Sequence, residues 1–185
     1  RKREGVREEV QKDMRRATRL SKQAILFTHQ GRFEDAKNLL EEANRIFAKL
    51  REVSKDYPEL FHSGLVSAAF EEYTEAHTLL RLIEEDRFID PEELGIPKIS
   101  YVLGLGDVVG ELRRRALDSI RKGKVEAAEK CLERMERIYS ELTAMDDAYL
   151  VVSGLRRKCD VARHLIEITR GDVTRNTRKP TPYSG

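Results

Sequence analysis

Apolar residues recur along the chain at spacings of three and four positions. The N-terminal stretch shows this pattern most clearly, with Val6, Val10, Met14, Ala17, Leu20, Ala24 and Phe27. Because an α-helix turns once in about 3.6 residues, these positions form one stripe on a helix surface. The pattern predicts a long amphipathic helix over residues 4–29, and Gly31 provides the signal for its C-terminal end.

The same spacing predicts five more long helices, over residues 33–56, 59–85, 99–122, 125–145 and 147–169. A short extra helix is expected to begin at Pro91, after Asp90, within the loop 87–98. No stretch alternates long enough to predict a strand. We therefore predict an all-α bundle of six to seven long helices. It would form one domain over residues 1–171, followed by a polar, flexible tail over residues 172–185.

Two of the predicted helices begin with related sequences. Residues 31–41, GRFEDAKNLLE, resemble residues 123–133, GKVEAAEKCLE. A solenoid would repeat such a unit several times at a short, fixed period. Two copies far apart predict a pair of similar helices and not a repeat array.

A carboxylate falls on the apolar face of the predicted helix 59–85. On a helical wheel Glu72 lies near the centre of that face and Glu75 at its edge. The face itself consists of Leu65, Ala68, Ala69, Ala76, Leu79 and Ile83. A charged carboxylate away from water is costly unless it is paired or binds a cation. Glu72 therefore needs an arginine, a metal ion or cavity water, and the wheel leaves these three open, with an ion pair as the ordinary case.

The predicted helix 99–122 carries a second acidic pair. Asp107 and Glu111 are four residues apart and share one face, nearly opposite the apolar stripe, which alone would indicate a solvated surface. Three glycines occupy the same turns: Gly104, Gly106 and Gly110. Each costs about 1 kcal/mol inside a helix, so they predict close approach of another helix or a ligand.

The overall charge does not identify a partner. The chain has 35 basic and 33 acidic residues, a net charge of +2, so any nucleic-acid binding must come from local clusters. Candidates on the first helix are Lys12, Arg15, Arg16, Arg19 and Lys22, and those on the 99–122 helix are Arg113, Arg114 and Arg115. Arg156, Arg157 and Lys158 form a third cluster. Trp is absent, which favours contacts to the nucleic-acid backbone over stacking on bases. The alternative is that these basic clusters are ordinary solvated helix faces without a nucleic-acid partner.

Other site types find little support. Cys131 and Cys159 have no zinc spacing and are expected to be buried thiols. Glu59 and His62 have the Glu-x-x-His spacing of ferritin-like bundles, but that fold needs the motif twice and the sequence has one copy. No apolar run approaches the roughly 20 residues that span a bilayer. We expect a cytoplasmic protein without membrane contact.

Two segments carry a family resemblance. Residues 70–76, FEEYTEA, and residues 101–114, YVLGLGDVVGELRR, resemble the two acidic segments of the Trax-type subunits of the translin family. Residues 116–120, ALDSI, and the loop residues 86–94, DRFIDPEEL, are also similar to that family. The matching segments keep the family's order, and the similarity runs from the first helix to Gly171.

The resemblance implies a translin-like fold and an assembly in hollow oligomers, typically octamers, that enclose RNA. It also implies a Mg²⁺- or Mn²⁺-dependent endoribonuclease, a hydrolase of phosphodiester bonds. The acids of the Trax-type subunits fall on Glu72, Glu75, Asp107 and Glu111, which would serve as metal ligands and catalytic residues. The expected partners are double-stranded or structured RNA and either further copies of this chain or a translin-like subunit. The alternative is a non-catalytic RNA- or single-stranded-DNA-binding assembly subunit.

Overall fold

The computed structural model describes residues 2–145 and 151–177. In these two ranges the chain forms eight helices and no strand, which confirms the predicted all-α class. The helices are α1 (Lys2–His29), α2 (Phe33–Asp56), α3 (Pro58–Phe61), α4 (Gly64–Glu85), α5 (Pro91–Leu94), α6 (Lys98–Arg121), α7 (Val125–Thr143) and α8 (Leu155–Thr177).

The chain forms two compact units, residues 1–105 and residues 106–185. Helix α6 belongs to both, since its first turns lie in unit 1 and the rest in unit 2. The single domain predicted over residues 1–171 stays a prediction. The predicted bounds of α1, α2, α6 and α7 agree with the structure to within about two residues, the ordinary uncertainty of helix ends.

The single helix predicted over residues 59–85 is wrong. The chain leaves the helical path at His62 and Ser63, which separate α3 from α4. Ser63 has an extended backbone, and its hydroxyl accepts a hydrogen bond from the Val66 N–H at 3.4 Å. A serine in this position satisfies a free N–H group of the first turn and so begins a new helix.

The helix predicted over residues 147–169 is also placed wrongly. Its predicted start lies outside the described residues, and α8 begins at Leu155, after Gly154, whose φ is +85°. Helix α8 then continues through Gly171 to Thr177, so Gly171 is not its end. The reason is packing, because Val173 is 4% exposed and extends the apolar stripe of α8. Residues 172–177 of the predicted flexible tail are therefore helical, and the remainder lies outside the described residues.

The core of unit 1 forms where α1 and α2 pack on α4. At its centre the ring of Phe47 lies 4.8 Å from that of Phe70 and 5.1 Å, edge to face, from that of Tyr73. Such aromatic pairs add about 0.5–1.5 kcal/mol to the free energy gained from burial. Burial also raises the pKa of Tyr73 to about 12, so its hydroxyl stays protonated in the core.

The core of unit 2 forms between the later part of α6, α7 and α8. Ala116, Ala128, Cys131 and Val173 are buried there, with Ile120 and Leu132 packed against them. Both cysteines are buried and free, as predicted. Burial raises the pKa of each thiol, which keeps it protonated and unreactive.

Two helix corners share one geometry and explain the related sequences. The chain turns between α1 and α2 at Gly31, with φ +75°, and between α6 and α7 at Gly123, with φ +71°. In both corners the N–H of the residue after the glycine donates a 2.8 Å hydrogen bond to the carbonyl five residues earlier. This left-handed helix end requires a residue without a side chain, so both copies carry glycine. The prediction of two similar helices is confirmed.

Unit 1 also contains a buried histidine. The ring of His77 on α4 lies 5.3 Å from that of Tyr73, edge to face. Burial lowers the pKa of His77 from 6.5 to about 4, with a further lowering by the charges of Arg81 and Arg87 and partial opposition from Glu93. The folded chain therefore holds this imidazole neutral.

We predict a pH-dependent stability that depends on His77. Its folded pKa lies below its unfolded pKa, so the stabilisation is complete above pH 6.5 and is lost as the pH falls toward 4. Urea unfolding across this window should show a loss of about 1–3 kcal/mol from this residue. The His77→Gln variant should lose less stability than the natural chain over the same range. The exposed His62, changed to Gln, is the control, and equal pH profiles for all three proteins would contradict the assignment.

Candidate acidic site and basic surface

The two carboxylates of α4 exchange their expected positions. Glu75 is buried, with 9% exposure, whereas the Glu72 side chain is 27% exposed and its Oε1 lies 3.6 Å from the Lys22 ammonium nitrogen on α1. The wheel prediction of Glu72 at the centre of the apolar face is therefore wrong. The positive partner that Glu72 was expected to need is the Lys22 ammonium.

The wheel failed because the buried surface of α4 is wider than one stripe. Helices α1 and α2 both pack on it, and residues on several sides are covered. The buried set includes Val66, Ala69, Phe70, Tyr73, Ala76, Leu79, Leu80 and Leu82. A helix covered on more than one side has no single apolar face from which a wheel can assign a centre.

Gly104 fixes a close contact within unit 1. A Cβ atom at this position would lie 2.7 Å from the Thr74 Cβ and 2.8 Å from the Glu71 carbonyl oxygen. Real side chains do not approach so closely, so only glycine lets the first turns of α6 reach the backbone of α4. The close approach predicted from the glycines is confirmed here, directly beside the acidic segment of α4.

Asp107 lies in unit 2 beside a pocket of about 360 Å³. Its Oδ2 accepts a 2.5 Å hydrogen bond from the Lys158 ammonium of α8. The Asp107 side chain is 40% exposed and that of Lys158 is 24% exposed. Both charges are therefore partly removed from water, which strengthens their attraction relative to a pair on the open surface. The spacing alone indicated a solvated face at Asp107, whereas the structure shows a partly enclosed ion pair there.

Gly106 and Gly110 differ in what surrounds them. A Cβ at Gly106 would lie 3.0 Å from the Lys158 Cβ and 3.1 Å from its Cδ, so the lysine stem lies directly on the α6 backbone. A Cβ at Gly110 would meet only Leu165, at 3.9 Å, which is an ordinary contact. The predicted close approach is therefore confirmed at Gly106 and not at Gly110.

Glu111 is the fourth candidate carboxylate. Its side chain is 23% exposed, and its Oε2 lies 3.9 Å from a terminal nitrogen of Arg114, one turn further along α6. At this distance the pair is weak and contributes little stability. Glu111 is thus held less firmly than Asp107.

The chemistry of these four acids suits a hard divalent cation, which prefers carboxylate oxygens and water. As the side chains stand, Glu72, Asp107 and Glu111 each face a basic group. Across residues 2–145 and 151–177, no three His, Cys, Asp or Glu side chains form a group that could hold a metal ion. The donor type therefore fits Mg²⁺ or Mn²⁺, but binding requires lysine partners to leave. The ligand set stays a prediction.

The basic residues of α1 form an exposed stripe. Lys12, Arg15, Arg16, Arg19 and Lys22 are all exposed and recur at helical spacing, and we call this set the α1 basic stripe. Arg16 is paired with Glu42, and Lys22 approaches Glu72. The other three have no ion pair among the described residues, so the stripe carries a local excess of positive charge.

The three arginines of α6 behave differently. Arg113 is 19% exposed and donates hydrogen bonds to the Thr169 hydroxyl at 2.9 Å and the Asp172 carboxylate at 3.0 Å. Arg115 is half-buried, and this burial lowers the pKa of its guanidinium. Both therefore contribute to packing in unit 2, and only Arg114 is exposed. RNA binding by Arg113 and Arg115 stays a prediction, and their partial burial does not support it.

Sequence reasoning treated Lys158 only as part of a basic cluster. Its spacing contained a stronger signal, because Lys158 lies three residues after Leu155 and four before Ala162, both buried. That spacing places the lysine on the inward side of α8. A basic residue there needs an acidic partner, and Asp107 supplies it.

Comparison with known proteins places the chain in a family. The sequence profile of the Translin family matches residues 5–167, most of the chain. The chain belongs to the translin family. It is 32% identical over 173 residues to the uncharacterized protein MJ0175 of Methanocaldococcus jannaschii, covering 92% of this chain and 76% of that protein.

Solved structures of this translin-family fold agree closely with the chain. The crystal structure of AfC3PO is 34% identical, with a TM-score of 0.85, and the match covers 95% of this chain and 91% of that one. A second structure shows AfC3PO in complex with duplex RNA, with the same agreement. Apo-NeC3PO is 27% identical, with a TM-score of 0.84, covering 94% and 91%. In the part of the chain described here, no helix is both long and apolar enough to cross a membrane.

The glycines of α6 give a direct stability prediction. Gly104→Ala should destabilise the protein by about 1–3 kcal/mol, because the added methyl group would collide with the α4 backbone. Gly110→Ala should stabilise it by about 0.5–1 kcal/mol, because alanine favours the helix and its methyl group makes only an ordinary contact with Leu165. Chemical denaturation of both variants measures the difference. Equal stability of the two variants would show that α6 does not approach α4 as described.

Proposed function

We propose that this translin-family chain is a Trax-like, Mg²⁺-dependent endoribonuclease subunit that binds RNA within an oligomer. The observation that carries the proposal is the approach of Lys22 to Glu72. Through it the α1 basic stripe, suited to phosphates, ends at a candidate catalytic carboxylate. A nuclease needs this adjacency, because the bound backbone must reach the groups that cleave it.

RNA binding is supported by the charge and exposure of the α1 basic stripe. Lysine and arginine contacts to phosphates supply most of the sequence-independent affinity for nucleic acids. The stripe spans eleven residues, or about 15 Å of helix from Lys12 to Lys22, enough to contact several phosphates. Arg114 on α6 is a further exposed candidate. The similar protein AfC3PO has been solved in complex with duplex RNA, which supports double-stranded RNA as the substrate class.

Cleavage is assigned to the carboxylates of α4 and α6. Glu72, Glu75, Asp107 and Glu111 would hold Mg²⁺ or Mn²⁺, an ion that polarises a phosphate oxygen and lowers the pKa of a water molecule. One of the glutamates would accept the proton of the attacking water, which then displaces the leaving oxygen from phosphorus.

A second function has its own support. In the described residues no three potential ligands are grouped for a metal, and Glu72, Asp107 and Glu111 face basic side chains. These ion pairs would suit a non-catalytic, translin-like subunit that binds RNA or single-stranded DNA and contributes only to assembly. The two functions differ in whether added Mg²⁺ produces cleavage.

Oligomer formation is supported by exposed apolar side chains. Ile99, Val151 and Val161 are 57%, 82% and 51% exposed. Single exposed apolar residues are common on protein surfaces. Contact with further subunits would cover these three and remove their apolar surface from water. We propose a closed shell, an octamer in the form typical of the family, built from this chain alone or with a translin-like subunit. A cytoplasmic location stays a prediction.

The first functional prediction concerns cleavage. Labelled duplex RNA should be cut in the presence of Mg²⁺ and stay intact with a chelator. Glu72→Gln and Asp107→Asn should each lower the rate about 100-fold or more with the fold retained, because each removes a charged ligand. Glu129→Gln, on the exposed surface of α7, is the control. Full activity of both site variants would refute the nuclease assignment, and binding without any cleavage would favour the assembly subunit.

The second functional prediction concerns binding without divalent ions. The double variant Arg15→Ala, Arg19→Ala should weaken RNA binding and reduce the slope of log affinity against log salt by roughly 2, one unit for each lost phosphate contact. Arg45→Ala removes an exposed arginine of α2 and should leave the slope unchanged. Filter binding at several salt concentrations measures both. An unaltered slope in the double variant would exclude the α1 basic stripe as the RNA contact.

A further inference from the structure

The pocket beside Asp107 contains a basic residue that the carboxylate mechanism does not use. Its lining consists of Gly106, Asp107, Gly154, Arg157, Lys158 and Val161, all in unit 2. Two of these side chains are cationic and one is the candidate carboxylate. The pocket therefore offers positive charge directly beside a group assigned to phosphodiester cleavage.

Lys158 is placed by a specific feature of α6. Lysine side chains usually extend their ammonium into water. Here the stem lies on the backbone of Gly106, and the ammonium reaches Asp107 at 2.5 Å. A Cβ at position 106 would lie 3.0 Å from the Lys158 Cβ, so the lysine stem would have to move by a few tenths of an ångström. The mid-helix glycine thus leaves room for the stem to lie where it does.

We propose that Lys158 is a phosphate-contacting residue of the candidate site. In the free protein its ammonium neutralises Asp107, and in the complex it donates instead to a non-bridging oxygen of the scissile phosphodiester. The inference rests on the proposed function, since it takes Asp107 as one of the cleavage carboxylates. An ammonium on a flexible stem suits this exchange because it acts as a compact charge with rotatable donors. Arg157 lines the same pocket and favours the entry of an anion.

The role differs from that of a purely structural ion pair in one measurable way. If Lys158 only stabilises the fold, its removal changes the melting temperature and leaves the cleavage rate of the bound complex unaltered. If it neutralises Asp107, its removal leaves an uncompensated carboxylate that attracts divalent ions more strongly. If it also contacts the phosphate, its removal slows cleavage more than it weakens RNA binding, because many other contacts hold the RNA.

The first test measures Mn²⁺ binding to the full chain without RNA, by electron paramagnetic resonance. Lys158→Met keeps most of the stem and removes the charge, and Lys130→Met, an exposed lysine of α7, is the matched control. We expect Lys158→Met to bind Mn²⁺ about fivefold more tightly, the ratio that corresponds to an ion pair of roughly 1 kcal/mol. Unchanged Mn²⁺ affinity in this variant would overturn the proposal.

The second test measures single-turnover cleavage of duplex RNA at several protein concentrations. Lys158→Met should lower the rate of the bound complex about 30-fold or more, with RNA affinity altered less than about threefold. Lys158→Arg should recover part of the rate because it restores a cation. A natural rate in Lys158→Met would overturn the proposal and leave the nuclease assignment standing. If the natural protein does not cleave RNA, the proposed function fails, and the Mn²⁺ titration alone decides whether Lys158 neutralises Asp107.

A pair of glycine variants moves the ammonium without changing any charge. Gly106→Ala would push the Lys158 stem away from α6 by a few tenths of an ångström and should change both quantities in the same direction as Lys158→Met, by a smaller amount. Gly110→Ala adds the same methyl group one turn further along α6, where it makes only an ordinary contact with Leu165, and should behave as the natural chain in both assays. The melting curve of Lys158→Met shows whether that variant folds. If it does not fold, the two glycine variants test the role of Lys158 in its place. Equal cleavage and Mn²⁺ affinity in the two glycine variants would overturn the proposal.

Discussion

An ionised carboxylate that is partly removed from water needs a positive charge beside it, and this constraint governs the surroundings of the candidate acids on α4 and on α6. Glu72 meets Lys22, and Asp107 meets Lys158. Neither lysine belongs to the helix that carries its partner, so each ion pair also links two helices. Under the proposed function, a divalent metal ion would take the place of each lysine beside its acid.

Glycines in α6 make this arrangement possible. A helix of this length would be more stable with alanine at each position, by about 1 kcal/mol per residue. Gly104 instead admits the α4 backbone and Gly106 admits the Lys158 stem. Residues that weaken a helix while serving contacts beside candidate catalytic groups indicate that function constrains the sequence locally. Gly31 and Gly123 are different, since both serve only the left-handed ends of equivalent helix corners.

The helical class and most helix bounds could be predicted because long apolar stripes dominate the sequence. Two errors have local causes. A serine that begins a helix divided α3 from α4, and the apolar spacing at Val173 carried α8 past a glycine that would otherwise end it. The apolar periodicity shows which side of a helix is buried. It does not show where a capping residue such as Ser63 divides an apolar stretch, nor where packing extends a helix past a glycine, as in α8.

The candidate acids could be found from their resemblance to a family, but their partners could not. A helical wheel assumes that one narrow side of each helix is buried. The buried surface of α4 is wider than that, so the wheel placed Glu72 inside and Glu75 at the edge, whereas Glu75 is the buried one. The pairing of Asp107 with Lys158 connects residues far apart in the sequence and depends on a glycine that leaves space. Spacing along one helix contains no information about such a contact, although the inward position of Lys158 on α8 pointed to the need for an acid.

The central proposal is that the candidate carboxylates of α4 and of α6 are ligands of divalent metal ions. A crystal structure with Mn²⁺, located by its anomalous scattering, tests it most directly. We predict anomalous peaks about 2.1 Å from oxygens of these carboxylates, with the ammonium groups of Lys22 and Lys158 moved away from Glu72 and Asp107. Mn²⁺ bound elsewhere, with both lysine ion pairs intact, would contradict it.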